Sequence, residues 1–263
     1  MTTADDQRPS LEAALPTPPR TPARELPGVR NLLLAEVDPP SLCEAQTAAM
    51  NRRWEQAVEA NPALFDGPTV VCAGVSWKDP ETLRLAWYRA TYRLFLLRQD
   101  PEHGLPVPSV FVSVAQPTDG GRLLVGRGAS STSHPGAWQL PGGTMEPTRT
   151  GVALDTECLR RHAARELAEE VGHVVASVAL ELWTVTCGHH GSVGVHFRAP
   201  ARPADALTEQ YARLVAAETA QGRTPELDRI AFIRSPAELG ELGGTCVNVL
   251  PMLAARHAVG MSS

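Results

Sequence analysis

The residues predict an α/β fold, a mixed β-sheet with helices on both faces. Two patterns carry this. Short β-rich runs and stripes of helical period interleave along the chain, which is the order of an α/β protein. Hairpin signals recur among them, so the sheet is not wholly parallel. Apolar residues make up 43% of the 263 positions, enough for the core of one large domain or a domain with an appendage.

Residues 1–30 contain P-T-P-P-R-T-P and few apolar side chains, and read as a disordered tail. A smaller N-terminal α/β domain is expected over 31–104. It opens with the strand N-L-L-L-A-E-V from Asn31. A helix follows over 40–60, with Ala48, Trp54 and Val58 as inward positions. T-V-V-C-A-G-V-S-W at 69–77 is a strand. Residues 81–97 combine helical spacing (Leu83, Trp87, Ala90, Phe95) with dense Trp, Tyr and Thr, and are read as a helix. Q-D-P-E-H-G-L-P-V-P at 99–108 is a linker.

The larger domain is expected over 105–263. S-V-F-V-S-V-A (109–115) and R-L-L-V-G-R (122–127) flank P-T-D-G-G, a hairpin signal. A-W-Q-L (137–140) is a short strand running into Pro-Gly-Gly. A helix is expected near 155–171, then strands near 176–187 and 193–198. The chain closes with a helix near 205–219, a strand at 229–233 and a helix near 246–258.

Several functional classes are disfavoured. The net charge is −5, so broad binding to nucleic acid or an anionic membrane, which needs a basic face, is not expected. No apolar run approaches the ~18 residues of a membrane span. The opening M-T-T-A-D-D-Q-R-P-S lacks the basic-then-apolar order of a secretory signal. The five cysteines (43, 72, 158, 187, 246) are scattered and never spaced C-x-x-C. They read as reduced thiols of a cytoplasmic protein.

The stretch R-E-L-A-E-E-V-G-H (165–173) sets three glutamates within five residues of an acidic chain. On the helix, Leu159, Ala163, Leu167 and Val171 make one apolar stripe. Glu166, Glu169 and Glu170 then share one surface patch at i, i+3 and i+4, and Arg165 lies four residues before Glu169. Asp155 or Thr156 offers a cap and Gly172 a stop. An ordinary solvated helix face is one reading. The other is a site for a hard cation such as Mg²⁺ or Mn²⁺, which takes oxygen ligands together with waters and substrate phosphates.

The wider spacing favours the second. Gly151, five residues, Glu157, seven residues and R-E-L-A-E-E-V-G form a string that resembles the signature of the Nudix hydrolases. The departure is His173, where the family has an apolar residue. W-Q-L-P-G-G-T-M-E-P (138–147) resembles the strand that leads into the family's loop, but Gly143 stands eight residues before Gly151. T-R-T-G-V-A-L-D therefore reads as an insertion, with Gly143 in the structural role.

The resemblance implies a Nudix α/β/α sandwich and metal-dependent hydrolysis of a nucleoside diphosphate linked to another moiety. By position, Glu166, Glu169, Glu170 and the Gly143 carbonyl would hold Mg²⁺, with Mn²⁺ an alternative. Arg165 would orient the glutamates, while Glu157, Gly142 and Gly172 would be structural. Glu226 in P-E-L-D is the candidate general base, with Asp228 behind it. Features beyond the motif resemble the branch that acts on UDP-glucose and UDP-galactose, among them N-P-A-L-F-D-G-P at 61–68. ADP-ribose, nucleoside triphosphates, a prenyl diphosphate and a non-catalytic nucleotide sensor are the alternatives.

Four further residues are weighed for substrate contact. Arg127 is within a glycine- and serine-rich stretch and is a candidate for a diphosphate. Trp138 is a core residue first and a stacking platform second. His189 and His190, in C-G-H-H-G, belong to a solvated hairpin that overhangs the substrate or stays clear of it. The N-terminal part supplies pocket walls or a homodimer face, and the residues leave both open.

Overall fold

A computed structural model of the protein describes residues 23–260 apart from 63, 99, 133, 189 and 190. The chain order is β1 (Arg24–Leu26), β2 (Asn31–Glu36), α1 (Glu44–Ala60), β3 (Pro68–Asp79), β4 (Thr82–Thr91), α2 (Tyr92–Leu97), β5 (Val110–Ala115) and β6 (Leu123–Gly128). It continues with β7 (Ala137–Gln139), β8 (Gly142–Thr144), α3 (Thr156–Val171), β9 (Glu181–Cys187), β10 (Val193–Arg198), α4 (Ala204–Ala220), β11 (Leu227–Ile233), α5 (Pro236–Glu241), β12 (Thr245–Cys246) and α6 (Leu250–Gly260).

Three sheets form. One has the order β1-β9-β10-β5-β8, a second β11-β6-β7-β12 and a third β2-β4-β3. The first is mixed, because β10 runs parallel to β5 and antiparallel to β9. Alternation along the strands sorts its side chains between two cores. Val110, Val112, Val114, Val193, Val195 and Phe197 meet Leu159, Ala163, Leu167 and Val171 of α3 and Leu207 of α4. Ala115 and Phe111 look the other way, with Leu123 and Val125, to Leu239 of α5 and to Leu250 and Leu253 of α6. Helices thus cover both faces, an α/β/α sandwich.

On the α6 side, one polar ladder crosses three strands. His196 of β10 is fully buried, with Nδ1 2.7 Å from Ser113 Oγ of β5 and Nε2 2.8 Å from Thr186 Oγ1 of β9. Burial pushes its imidazole down to about 3, so the ring is neutral and both nitrogens are matched by hydroxyls.

The third sheet joins the same core. Val70, Cys72, Leu83, Leu85 and Trp87 lie in one cluster with Val112 and Leu159. The backbone continues the contact: Cys72 N–H donates to Pro108 O (2.8 Å) and Val70 N–H to Met145 O (2.9 Å). The Arg89 guanidinium donates to the Thr148 carbonyl and to Glu36, tying β4 to the loop ahead of α3.

Four expectations need correction. Residues 82–91 are a strand, not the start of a helix. Leu83, Leu85 and Trp87 alternate inward, the β-formers find partners in both β2 and β3, and only 92–97 coil. Residues 24–26, assigned to the tail, add an edge strand against β9; residues 1–22 lie outside the described residues. In α1 the buried alanine is Ala49, while Ala48 is exposed. The P-T-D-G-G turn does close, with Pro117 bridging Leu123, but β5 and β6 then part into different sheets.

Candidate active site

Helix α3 carries the site, and its ends form as its sequence directs. The Asp155 carboxylate accepts from Cys158 N–H at 2.7 Å, and this bond holds its carboxyl below the usual range. Gly172 closes the helix at φ +75°, where a Cβ would sit 2.8 Å from Gln210 O of α4. His173 takes the family's apolar seat: it is 2% exposed, whereas Val174 beside it is 79% exposed. Burial lowers the His173 pKa, so a neutral ring fills the place of an aliphatic side chain.

The apolar stripe faces the sheet and turns the glutamates toward the end of β8. Glu170 is the innermost, at 3% exposure, and its Oε2 accepts from Gly142 N–H at 2.8 Å. Burial pushes its carboxyl well above the usual range, against the pull of that amide. The charges of Glu166, Glu226 and Glu169 push the same way. Glu226, just before β11, is also raised, by desolvation and then by Glu166 and Glu169, though its side chain stays at the solvent rim. Helix α3 and the residue just ahead of β11 thus bring four carboxylates into mutual electrostatic range.

Both glycines of the P-G-G run are required by close approach. A Cβ on Gly143 would stand 2.7–2.8 Å from the Glu166 carboxyl group. One on Gly142 would overlap the Val112 carbonyl and lie 2.6 Å from Ser113 Cα. Gly151, by contrast, sits in an exposed turn with φ +82° and nothing near it.

The remaining site candidates divide. Arg165 stands 3.7 Å from Glu169 and 3.8 Å from Glu166, with Glu146 at 3.9 Å. Its closest polar contact is His162 Nδ1, at 3.1 Å. Glu157 accepts from Ser177 Oγ at 2.9 Å and pairs with Arg160, so it braces the first turn of α3 and does not join the cluster. Arg127 is gripped by both oxygens of Asp228, at 2.8 and 3.1 Å. That fork occupies Asp228 and weakens its claim as a base. Trp138 is not a stacking platform: it is 1% exposed and its Nε1–H donates to Gly243 O. His189 and His190 lie outside the described residues.

Two neighbours escaped the sequence reading, Glu146 and His162. Their signal was legible: Glu146 follows P-G-G at the family's spacing, and His162 lies at i−4 from Glu166 and i−3 from Arg165. Among the described residues no three His, Cys, Asp or Glu side chains converge closely enough to form a closed cation cage. The donor set is nonetheless all oxygen around the carboxylates, which fits a hard cation that completes its shell with water and phosphate.

The family model described as the NUDIX domain matches residues 106–244, more than half of the chain. The chain belongs to the Nudix hydrolase family. The likeness first read from the glutamate helix is thereby confirmed. Among solved structures, it is similar to the MutT protein of Methanosarcina mazei Go1, at 16% identity over 61% of this chain and 100% of that one, with TM-score 0.40. The NUDIX domain of Shewanella oneidensis NrtR, complexed with ADP ribose, is 17% identical over 66% and 99%, with TM-score 0.37. A NUDIX hydrolase from Nitrosomonas europaea is 16% identical over 59% and 90%, with TM-score 0.33. No curated protein matches the chain. Among the described residues, no helix of this Nudix protein is long and apolar enough to cross a membrane.

Proposed function

We propose that this Nudix protein hydrolyses the phosphoanhydride of a nucleoside diphosphate joined to another moiety, with UDP-sugars as its first substrates. The observation that carries the reading is Glu170, a nearly buried carboxylate amid the charges of Glu166, Glu169 and Glu226. Such crowding is unfavourable in isolation, and a divalent cation offsets it. Glu166, Glu169, Glu170 and the Gly143 carbonyl would hold Mg²⁺, with Mn²⁺ as substitute. When bound, the cation supplies charge neutralisation and Lewis acidity toward a diphosphate.

The chain's own groups then have separable tasks. Glu226, raised by desolvation and by its acidic neighbours, accepts the proton of the attacking water. The water oxygen bonds to phosphorus, the bridging P–O bond breaks, and the departing phosphate keeps the bridging oxygen. From a UDP-sugar the products are UMP and a sugar 1-phosphate. The five cysteines are all unpaired, which supports a reducing, cytoplasmic setting.

The test is phosphate release through a coupled phosphatase. The panel holds UDP-glucose, UDP-galactose, ADP-ribose, GDP-mannose, nucleoside triphosphates and a prenyl diphosphate. Each is run with Mg²⁺, Mn²⁺ or EDTA, for wild type and Glu170→Gln. Metal-dependent turnover of UDP-sugars that the variant loses is the expected result. Turnover of another compound retires the UDP-sugar assignment. Tight nucleotide binding with no turnover retires hydrolysis in favour of sensing.

A further inference from the structure

The family motif passes over His162, yet it is the side chain wedged most tightly between two motif residues. It is 6% exposed and lies one turn before Glu166 on α3. Arg165 Nη2 is 3.1 Å from its Nδ1. A guanidinium can only donate, so Nδ1 accepts and the ring proton sits on Nε2. That nitrogen is 2.8 Å from Glu166 Oε1. It is also buried without an aligned hydrogen bond among the described residues, so Glu166 is the nearest group able to receive it. On the other side the Glu166 carboxyl is backed by Gly143, where even a methyl group would collide.

We propose that His162 is a positioning residue, which holds Glu166 in place for the divalent cation. The inference rests on the metal-dependent reading above and adds a residue to it. Arg165 then acts on Glu166 mainly through His162, because its direct distance to that carboxylate is 3.8 Å. The order is Arg165 to His162 Nδ1, then His162 Nε2–H to Glu166 Oε1, which leaves Oε2 for the cation. A buried partner that fixes a ligand's orientation typically changes metal affinity by about ten- to a hundredfold. His173, the buried histidine just past the C-terminus of α3, lies beside Gln210 and Arg202 and has no part in the relay.

The experiment is Mn²⁺ titration of the full chain, followed by electron paramagnetic resonance without substrate. It compares wild type, Glu166→Gln, His162→Ala and His162→Gln, with circular dichroism confirming that each is folded. The expected result is Mn²⁺ binding weakened about tenfold or more in His162→Ala and partly restored in His162→Gln, whose amide can donate across the same helical turn. In turnover assays, excess Mn²⁺ should return kcat of His162→Ala toward wild type with substrate KM unchanged. A role in packing alone would give none of this rescue. If Glu166→Gln loses Mn²⁺ while a folded His162→Ala binds it within twofold of wild type, the positioning role is overturned and the metal site stands. If wild type itself binds no Mn²⁺, the metal site falls and His162 with it. Should His162→Ala fail to fold, the Gln variant decides: binding equal to wild type supports the donor role, and loss equal to that of Glu166→Gln overturns it.

Discussion

The two glycines of the P-G-G run have different burdens although they are adjacent. What a side chain on Gly142 would meet is backbone, Val112 O and Ser113 Cα, which cannot move without breaking the β5–β8 pairing. On Gly143 it would meet only the end of the Glu166 side chain. Gly142→Ala should therefore lower the thermal midpoint and the yield of folded protein. Gly143→Ala should fold with a midpoint close to wild type but lose most of the proposed metal-dependent turnover, since the displaced group is Glu166, a proposed ligand. Differential scanning calorimetry beside the phosphate-release assay separates the two, and a Gly143→Ala enzyme of full activity would remove Gly143 from the site. At this scale the sequence was informative wherever a motif fixes residue type. It singled out the glutamates, the P-G-G run and Glu226 just ahead of a later strand, and in the structure these carboxylates lie within electrostatic reach of one another. The motif passes over His162, which falls between its fixed positions; the signal for it is helical spacing to Glu166 and Arg165. Trp138 illustrates the converse: an aromatic beside a motif reads equally as wall or core until burial decides.

The helix that carries the glutamates is held at both ends by single residues. Asp155 caps the first turn, and Gly172 releases the chain into a left-handed turn against α4. Asp155→Ala should cost about 1 kcal/mol, the usual loss of a helix cap. Gly172→Ala should cost more, because unfavourable φ adds to collision with the Gln210 carbonyl. Urea unfolding of both variants tests the order, and equal losses would contradict it. These ends were legible because capping is local chemistry written within a few residues. Residues 82–91 were not, and the reason is also physical. Leu83, Trp87 and Ala90 fit a helical period, while Leu83, Leu85 and Trp87 fit a strand. A sheet partner on each side settled the competition, β3 across a two-residue turn and β2 some way back in sequence. The three-residue strand β1 is shorter still and gives no periodic signal at all; its place depends on partners remote in sequence, β9 and Arg256 of α6.

Across the whole molecule, one apolar cluster joins side chains from both sides of the 99–108 segment, and a second lies across the five-stranded sheet under α5 and α6. The His196 ladder on the α6 side of the five-stranded sheet contributes to how this body responds to acid. His196 titrates near 3 when folded, against an ordinary 6.5. Between those values the unfolded chain binds the extra proton, so stability is full above about pH 6.5 and falls toward pH 3. The fall is about 1.4 kcal/mol per pH unit for one histidine. His173 and His257 are lowered in the same direction by burial, which steepens it. Urea unfolding at pH values from 6.5 to 5 should show a steeper loss of stability, or a smaller gain, in wild type than in His196→Gln, because the raised carboxyls of Glu170 and Glu226 act in the opposite sense in both proteins. A slope that the substitution leaves unchanged would mean the ring is not neutral in the folded state.

The edge strand β1 has one more consequence, and it concerns time. Glu25 hydrogen-bonds Thr184, 159 residues further along. At ordinary rates of synthesis, β9 leaves the ribosome roughly ten to thirty seconds after β1. Through that interval Leu26, a core residue in the finished protein, has no β9 to lie against. The earliest strand of the first sheet is thus among the last to be seated.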